Sequence, residues 1–442
     1  MLNLNLNAVL AKLPIAQLRT TIETHVRPWL RLLPDKRLWA VVVQMLLGIL
    51  GSQTPVITEM AGSNSKREGA TWAMAKRIYR LVHTPRVPTA SFYDGLYAVG
   101  QQVVAHEHPE YLVVAVDPVN FEKPYAEVVE GVSTVYKATP PDLRGQARLT
   151  HGYPAITATI VNTRVPVTTY ANWFSYQTED FVSQNAEIRH CFTRTVALYP
   201  HYRVRFVGDA GLDDQKMFAA VTDLHQEFVF RVCHLNRTVE VYNDRLNRWE
   251  TECLQDLTAT ILYQAAFQVT FTHAGRTRTH TIKLGWLQIR LPGTTTPLWV
   301  LVADDQTTPR QLVLITNVPL LTTEIVQQVY ADWRRRSRIE HGYRFDQEQG
   351  LDVEDMRVHT LDRMRRIFAM VLLAAQLVFV VDDRWPPPAV HWLRILGGKL
   401  ELTTDRDGPY WLLQGIAAVI ITAMTLSFVA LHPFPWPEAT CG

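Results

Sequence analysis

The sequence predicts a mixed α/β protein of several domains, and three observations carry that prediction. Apolar, β-branched runs alternate with helical segments between Tyr111 and Cys233. The first hundred residues carry helical patterning alone. A stretch rich in Val, Thr, Ile and Trp then separates the alternating region from a strongly charged helix. A length of 442 residues corresponds to about two to four domains, enough for a sizeable catalytic core. With 47% hydrophobic and 19% charged residues, and 25 Pro and 21 Gly spread along the chain, disorder, collagen and coiled coil are excluded.

The 44 basic and 42 acidic side chains nearly cancel, so a polyanionic partner must be met by local basic patches. The cysteines Cys191, Cys233, Cys253 and Cys441 form no C-x-x-C pair. That argues against a zinc ribbon or a disulfide framework and points to a reducing, cytoplasmic setting. The N-terminus lacks the pattern of a secretory signal. Of two apolar stretches, Ile367 to Val381 is too short to span a membrane. Trp411 to Leu431 carries Gln414, Thr422, Thr425 and Ser427, and no Lys or Arg follows it. The second is expected as a buried core helix, with no membrane partner.

In the N-terminal region, helices are expected from Lys36 to Leu50 and from Glu68 to His83, with Gly51, Ser52 and Pro55 between them and Pro85 and Pro88 closing the segment. On the second helix Lys76 and Arg80 share a face beside Trp72 and Tyr79, with Arg77 adjacent. Such a face suits phosphates, or is an ordinary solvated amphipathic surface. Tyr111 to Asp117 reads as a buried central strand that ends in a carboxylate. Pro154 to Asn162 and Val165 to Trp173 form an antiparallel hairpin through Thr163 and Arg164. A helical segment from Glu179 to Ala197 leads into a second apolar strand, Arg203 to Asp209, with Gly208 and Gly211 bracketing the acid in a turn. A short helix, Asp214 to Leu224, and the strand Glu227 to Cys233 complete this region.

His234 to Leu321 is expected as a β-rich insertion outside the sheet order, because it falls between the last sheet strand and the helix that returns to the sheet. Its Trp286 and Trp299 are candidates for stacking on an unpaired or flipped base, or are core aromatics of a β domain. The returning helix has Thr323 as its candidate N-cap, and Trp333, Arg336, Glu340 and Tyr343 are spaced to share one face. The arginines between Trp333 and Ile339 are a solvated face, or a grip on something anionic that offsets their mutual repulsion.

Asp117, Asp209 and Glu340 then form an ordered set, two acids at strand ends and one on a helix. Hard divalent cations take oxygen ligands, so three convergent carboxylates can hold two magnesium ions, with manganese as a substitute, for phosphodiester chemistry. Glu324, Glu348 and Glu354 compete by position for the third place.

Several segments, taken in order, resemble the DDE-type transposases of bacterial insertion sequences, in the cut-and-paste branch with a β insertion before the catalytic glutamate. AVDPVNFEKPYAEVVEG resembles the first-acid block, HGYPAITATIVNTRVPV the block running into the central hairpin, and VGDAGLDDQKMF the second-acid block. In RSRIEHGYRFDQEQGLD, Arg336, Ile339 and Glu340 match the Arg-x-x-Ile-Glu core, and Tyr343 fills an aromatic position after it. Two positions depart from the pattern. Trp333 stands where the family has Tyr, although Tyr330 is close by, and Gln347 stands where it has Lys. Both family positions contact DNA near the cleavage point, so the handling of DNA ends differs by this reading while the acids are untouched.

The resemblance implies an RNase H-like mixed sheet flanked by helices, interrupted by the insertion. It also implies a helical DNA-binding region over 1–100, a catalytic domain split between 101–233 and 322–385 around an insertion at 234–321, and a helical region over 386–442. The implied activity is that of a transposase. It binds the terminal inverted repeats of a mobile element as a homodimer, cleaves phosphodiester bonds and transfers 3′ ends to target DNA, in the cytoplasm and associated with the nucleoid. Asp117, Asp209 and Glu340 would hold the metal. Arg336, Trp333, Tyr330, Tyr343, Gln347, Lys76, Arg77, Arg80, Trp299 and Trp286 are the candidate DNA contacts. A nuclease of the same fold without strand transfer, and an inactive DNA-binding relic, are the alternatives.

Overall fold

The computed structural model describes residues 8, 10–64, 69–126, 128–137, 148–179, 181–273, 276–305, 311–339, 350–399 and 409–431. Helices α1 (Ile15–His25), α2 (Arg27–Leu32), α3 (Arg37–Ser52), α4 (Ile57–Asn64), α5 (Ala70–His83) and α6 (Thr89–Glu107) precede the first strand. On α5 the apolar residues Met74, Ala75, Ile78, Leu81 and Val82 recur at helical spacing and are buried, which turns Lys76, Arg77 and Arg80 outward.

Later in the chain come α11 (Leu361–Arg384), α12 (Pro387–Leu396) and α13 (Pro409–Leu431). Their buried residues join those of α1 to α6 in one apolar cluster, so the N-terminal and C-terminal helices build a single body around α11. Between Ile367 and Val381 helix α11 is apolar on all sides apart from Gln376 and is enclosed, as the middle of a central core helix must be. Both α11 and α13 are long and apolar enough to cross a membrane by length and composition. In α13, Leu412, Leu413, Ile416 and Ile420 are buried, whereas Ile421, Phe428 and Val429 are exposed. The expected core helix is therefore half covered. It approaches α12 closely at Gly415, where an added Cβ would lie 1.9 Å from the Leu393 carbonyl oxygen.

One ten-stranded mixed sheet forms the other half of the fold. Its strands are β1 (Leu112–Glu122), β2 (Ser133–Tyr136), β3 (Leu149–Ile160), β4 (Val167–Trp173), β5 (Val204–Gly208), β6 (Glu227–Arg231), β9 (Ala265–His273), β10 (Arg276–Ile289), β11 (Leu298–Asp305) and β12 (Leu312–Thr316). They lie in the order β2-β3-β1-β5-β6-β12-β11-β10-β9, with β4 beside β3. Strands β1, β5 and β6 are mutually parallel, and β3 runs antiparallel to β1 and β4. A separate hairpin pairs β7 (Thr238–Asn243) with β8 (Arg248–Cys253). Helices α7 (Gln184–Leu198) and α8 (Gln215–Asp223) cover one face of the sheet through Ile188, Phe192, Met217 and Phe218. The opposite face, with Val113, Ala115, Val207, Val229 and Leu314, is covered by α10 (Thr323–Arg334) through Val326, Val329 and Tyr330. Helix α9 (Leu254–Thr260) lies between β8 and β9 in sequence.

Two expectations are corrected here. The insertion does not stay out of the sheet order: β12 pairs antiparallel with β6, and β11, β10 and β9 extend the sheet from it. Strand β6 would otherwise present an unpaired edge, and β12, buried at every residue, has the near-continuous apolar run of an interior strand. The first strand also does not stop at Asp117. It continues to Glu122 against β3 alone, and Pro118 sits in this one-sided part, where a strand tolerates proline.

Candidate active site

The parallel ladder between β1 and β5 ends at the pair Val116 and Gly208. Asp117 and Asp209 are the next residues on each strand, on neighbours that run about 4.8 Å apart. Alternation along β1 puts Asp117 on the face of Val113 and Ala115, and continuing the alternation of β5 puts Asp209 on the face of Val207. Both acids are half-buried. Asp209 caps the following turn by accepting the Gly211 amide N–H at 2.9 Å. The two acids thus follow neighbouring positions at the carboxyl ends of parallel strands, the place where open α/β sheets bind ligands. As oxygen donors in a half-open position they fit a hard divalent cation.

Helix α10 lies over the same face. Its N-cap is Thr322, one residue before the expected Thr323, and the Thr322 hydroxyl accepts the Ile325 N–H. At its other end the Trp333 indole Nε1–H donates to the Gly208 carbonyl at 2.9 Å, which ties the helix to the residue preceding Asp209. The Arg336 guanidinium lies over the Trp333 ring, 5.8 Å from its centroid. The expected single helix is interrupted by a turn at Arg335 and Arg336 and helical backbone resumes over 337–339, with i to i−3 bonds from Arg336 to Trp333, Arg338 to Arg335 and Ile339 to Arg336 across the turn. Of the residues expected on one helical face, Trp333 lies before that turn and Arg336 within it. Ile339 is buried in the same cluster as Val329 and Tyr330. Glu340, Tyr343 and Gln347 lie outside the described residues.

The neighbouring arginines find their anions inside the protein. Arg334 pairs with buried Asp305 at 3.0 Å and Arg335 with buried Asp332 at 2.5 Å, while Arg338 donates to the carbonyls of Val161, Thr163 and Arg164. Asp332 also receives Arg205 at 2.6 Å and the Tyr111 hydroxyl at 2.7 Å. Burial, and then the hydrogen bond to Asp332, push the Tyr111 phenol up to about 12. Tyr330 is buried and donates to Asp305 at 2.5 Å, so its hydroxyl is engaged in packing rather than turned toward a DNA strand.

The other candidates are dispersed. Trp286 and Trp299 are half-buried and pack against the apolar cluster on the α10 face of the sheet, as core aromatics do. Lys76, Arg77 and Arg80 are exposed on the helical body, with Lys76 Nζ 5.5 Å from the centroid of the exposed Trp72 ring. Arg77 and Arg80 line a cleft of about 690 Å³ together with Arg86, Arg37 and Asp35, which pairs with Arg37 at 3.6 Å. Asp213, Cys233 and His234 also converge beside the second-acid turn. The adjacent Cys-His pair was their only signal in the sequence.

No family model matches this chain, and no curated protein matches it in sequence. Among solved structures, a piggyBac transposase synaptic complex with hairpin DNA is similar at a TM-score of 0.39 and 7% identity, over 90% of this chain and 74% of that one. At that distance neither fold nor function follows from the likeness.

Proposed function

We propose that the protein is a DNA transposase of RNase H-like fold that cuts and rejoins phosphodiester bonds with Asp117, Asp209 and Glu340. The observation that carries this reading is the placement of Asp117 and Asp209 side by side just past the Val116 and Gly208 pair, on the sheet face to which Trp333 fastens the returning chain. The segmental resemblance to DDE-type transposases supports it, and so does the mixed helix-flanked sheet.

Two magnesium ions held between these oxygen donors would supply an activated oxygen nucleophile and neutralise charge on the leaving oxygen. The half-buried carboxylates hold their position through the sheet, and Asp209 is further oriented by the Gly211 amide. Arg336, with its guanidinium 5.8 Å from the centroid of the Trp333 ring, would supply a planar fork to a phosphate of the cleaved strand. Hydrolysis would join a water oxygen to phosphorus as the P–O3′ bond breaks, leaving a 3′ hydroxyl and a 5′ phosphate. That hydroxyl would then attack a target phosphodiester at the same site, forming a new P–O bond and releasing the target strand's own 3′ hydroxyl. The cleft of the helical body would serve as a phosphate-backbone grip through Arg77, Arg80 and Arg86, Arg37 being paired there with Asp35. A homodimer would hold the two ends of the element, in the cytoplasm.

The test incubates the purified protein and magnesium with DNA carrying the sequences that flank its own coding region, and resolves nicked, doubly cut and joined products. Joined products are expected. Cut ends without joining would replace the reading with that of a nuclease, and binding without cutting with that of an inactive relic.

A further inference from the structure

Asp213, Cys233 and His234 meet where the ends of β5 and β6 come together, and nothing in the proposed phosphodiester chemistry uses them. Asp213 is buried. Its Oδ2 accepts the backbone N–H of Cys233 at 2.8 Å and of His234 at 2.9 Å, and its Oδ1 pairs with Arg237 at 2.7 Å. These bonds hold the carboxylate in one orientation. His234 Nδ1 lies 3.2 Å from Asp213 Oδ2 and 3.3 Å from Cys233 Sγ, and the three donor atoms are all within 4.8 Å of one another.

Those separations suit a metal ion. Zinc bonds of about 2.3 Å to sulfur and about 2.0–2.2 Å to nitrogen and oxygen, arranged tetrahedrally, space a sulfur–nitrogen pair about 3.6 Å apart and a nitrogen–oxygen pair about 3.4 Å apart. Both observed distances come within a few tenths of an ångström of these. A thiolate, an imidazole and one carboxylate form a borderline-soft donor set that prefers zinc to magnesium. Cys233 and His234 are exposed, which gives an ion access and leaves its fourth position toward solvent.

We infer that Asp213, Cys233 and His234 form a three-ligand zinc site that fastens the start of the β7–β8 segment to the turn after Asp209. The inference does not rest on the transposase reading, since its donors differ from those of Asp117 and Asp209.

Titration of the metal-free protein with cobalt(II), followed by displacement with zinc(II), tests it. One equivalent of cobalt should produce a thiolate-to-cobalt absorption in the near ultraviolet that zinc abolishes and magnesium does not. Cys233→Ser should lose the band, His234→Ala should weaken zinc binding by more than the roughly 10- to 100-fold that loss of an outer partner of a ligand costs, and Asp117→Asn should keep the band, because the acid pair offers no sulfur. Circular dichroism confirms that each variant is folded, and His234→Ala serves if Cys233→Ser is not. Absence of the band at one equivalent, or a band that survives both Cys233→Ser and His234→Ala, would leave the cluster as a hydrogen-bonded cap and overturn the site.

Discussion

The indole of Trp333 donates to the carbonyl of Gly208, so the last turn of α10 is bonded to the residue that precedes Asp209. Gly208 is packed from the other side as well, since an added Cβ would lie 2.2 Å from Leu212 Cδ1. The returning chain is thereby registered against the end of β5. Trp333→Phe removes the donor and leaves a smaller aromatic ring in its place. It should cost about 0.5–1.5 kcal/mol in urea unfolding, yet slow single-turnover DNA cleavage by more than that stability loss explains, on the order of 10-fold, because small displacements of reacting groups are costly. Cleavage at the wild-type rate would reduce the bond to packing.

Asp332 is a buried carboxylate that accepts from Tyr111, Gln328, Arg205 and Arg335. Asp332→Ala leaves the buried Arg205 without this counter-charge, and denaturant unfolding should show a loss of about 3–5 kcal/mol. A loss below about 1 kcal/mol, the range of exposed pairs, would show that Glu227 alone satisfies Arg205.

Salt dependence separates the two groups of arginines. Arg77→Ala and Arg80→Ala should each lower the slope of log affinity for DNA against log salt by about 0.9. Arg334→Ala and Arg335→Ala should leave the slope unchanged, since Asp305 and Asp332 already occupy those guanidinium groups. Slope changes confined to Arg334 and Arg335 would place the DNA on α10 instead.

Burial, outweighing the Glu122 N–H that donates to it, raises the Glu354 carboxyl from 4.5 to about 7. The folded state therefore favours the protonated acid. Its contribution to stability is complete below about pH 4.5 and is lost as the pH rises through about 7. Glu354→Gln cannot titrate, so its melting temperature should gain on the wild type progressively across that window. A constant difference between the two proteins would show that Glu354 titrates normally.

The local signals in the sequence were those of strand and helix periodicity. The apolar runs before Asp117 and Asp209, and the hairpin through Thr163 and Arg164, appear as β1, β5, β3 and β4. What escaped the sequence was pairing at long range. Nothing local says that β12 closes the edge of β6, although its five buried residues carry the pattern of an interior strand. The arginine run suggested an external anion because its partners, Asp305 and buried Asp332, become counter-ions only after folding. The cleft joining Arg37 to Arg80 likewise depends on how two helices pack.

The most direct measurement is magnesium-dependent cleavage of end-bearing DNA by Asp117→Asn and Asp209→Asn, with DNA binding measured in parallel. Both variants should bind DNA within about twofold of the wild type and lose cleavage by more than about 100-fold, the scale of several kcal/mol of charge stabilisation. Near-normal cleavage by either one would contradict the assignment of the β1 and β5 carboxylates as the catalytic pair.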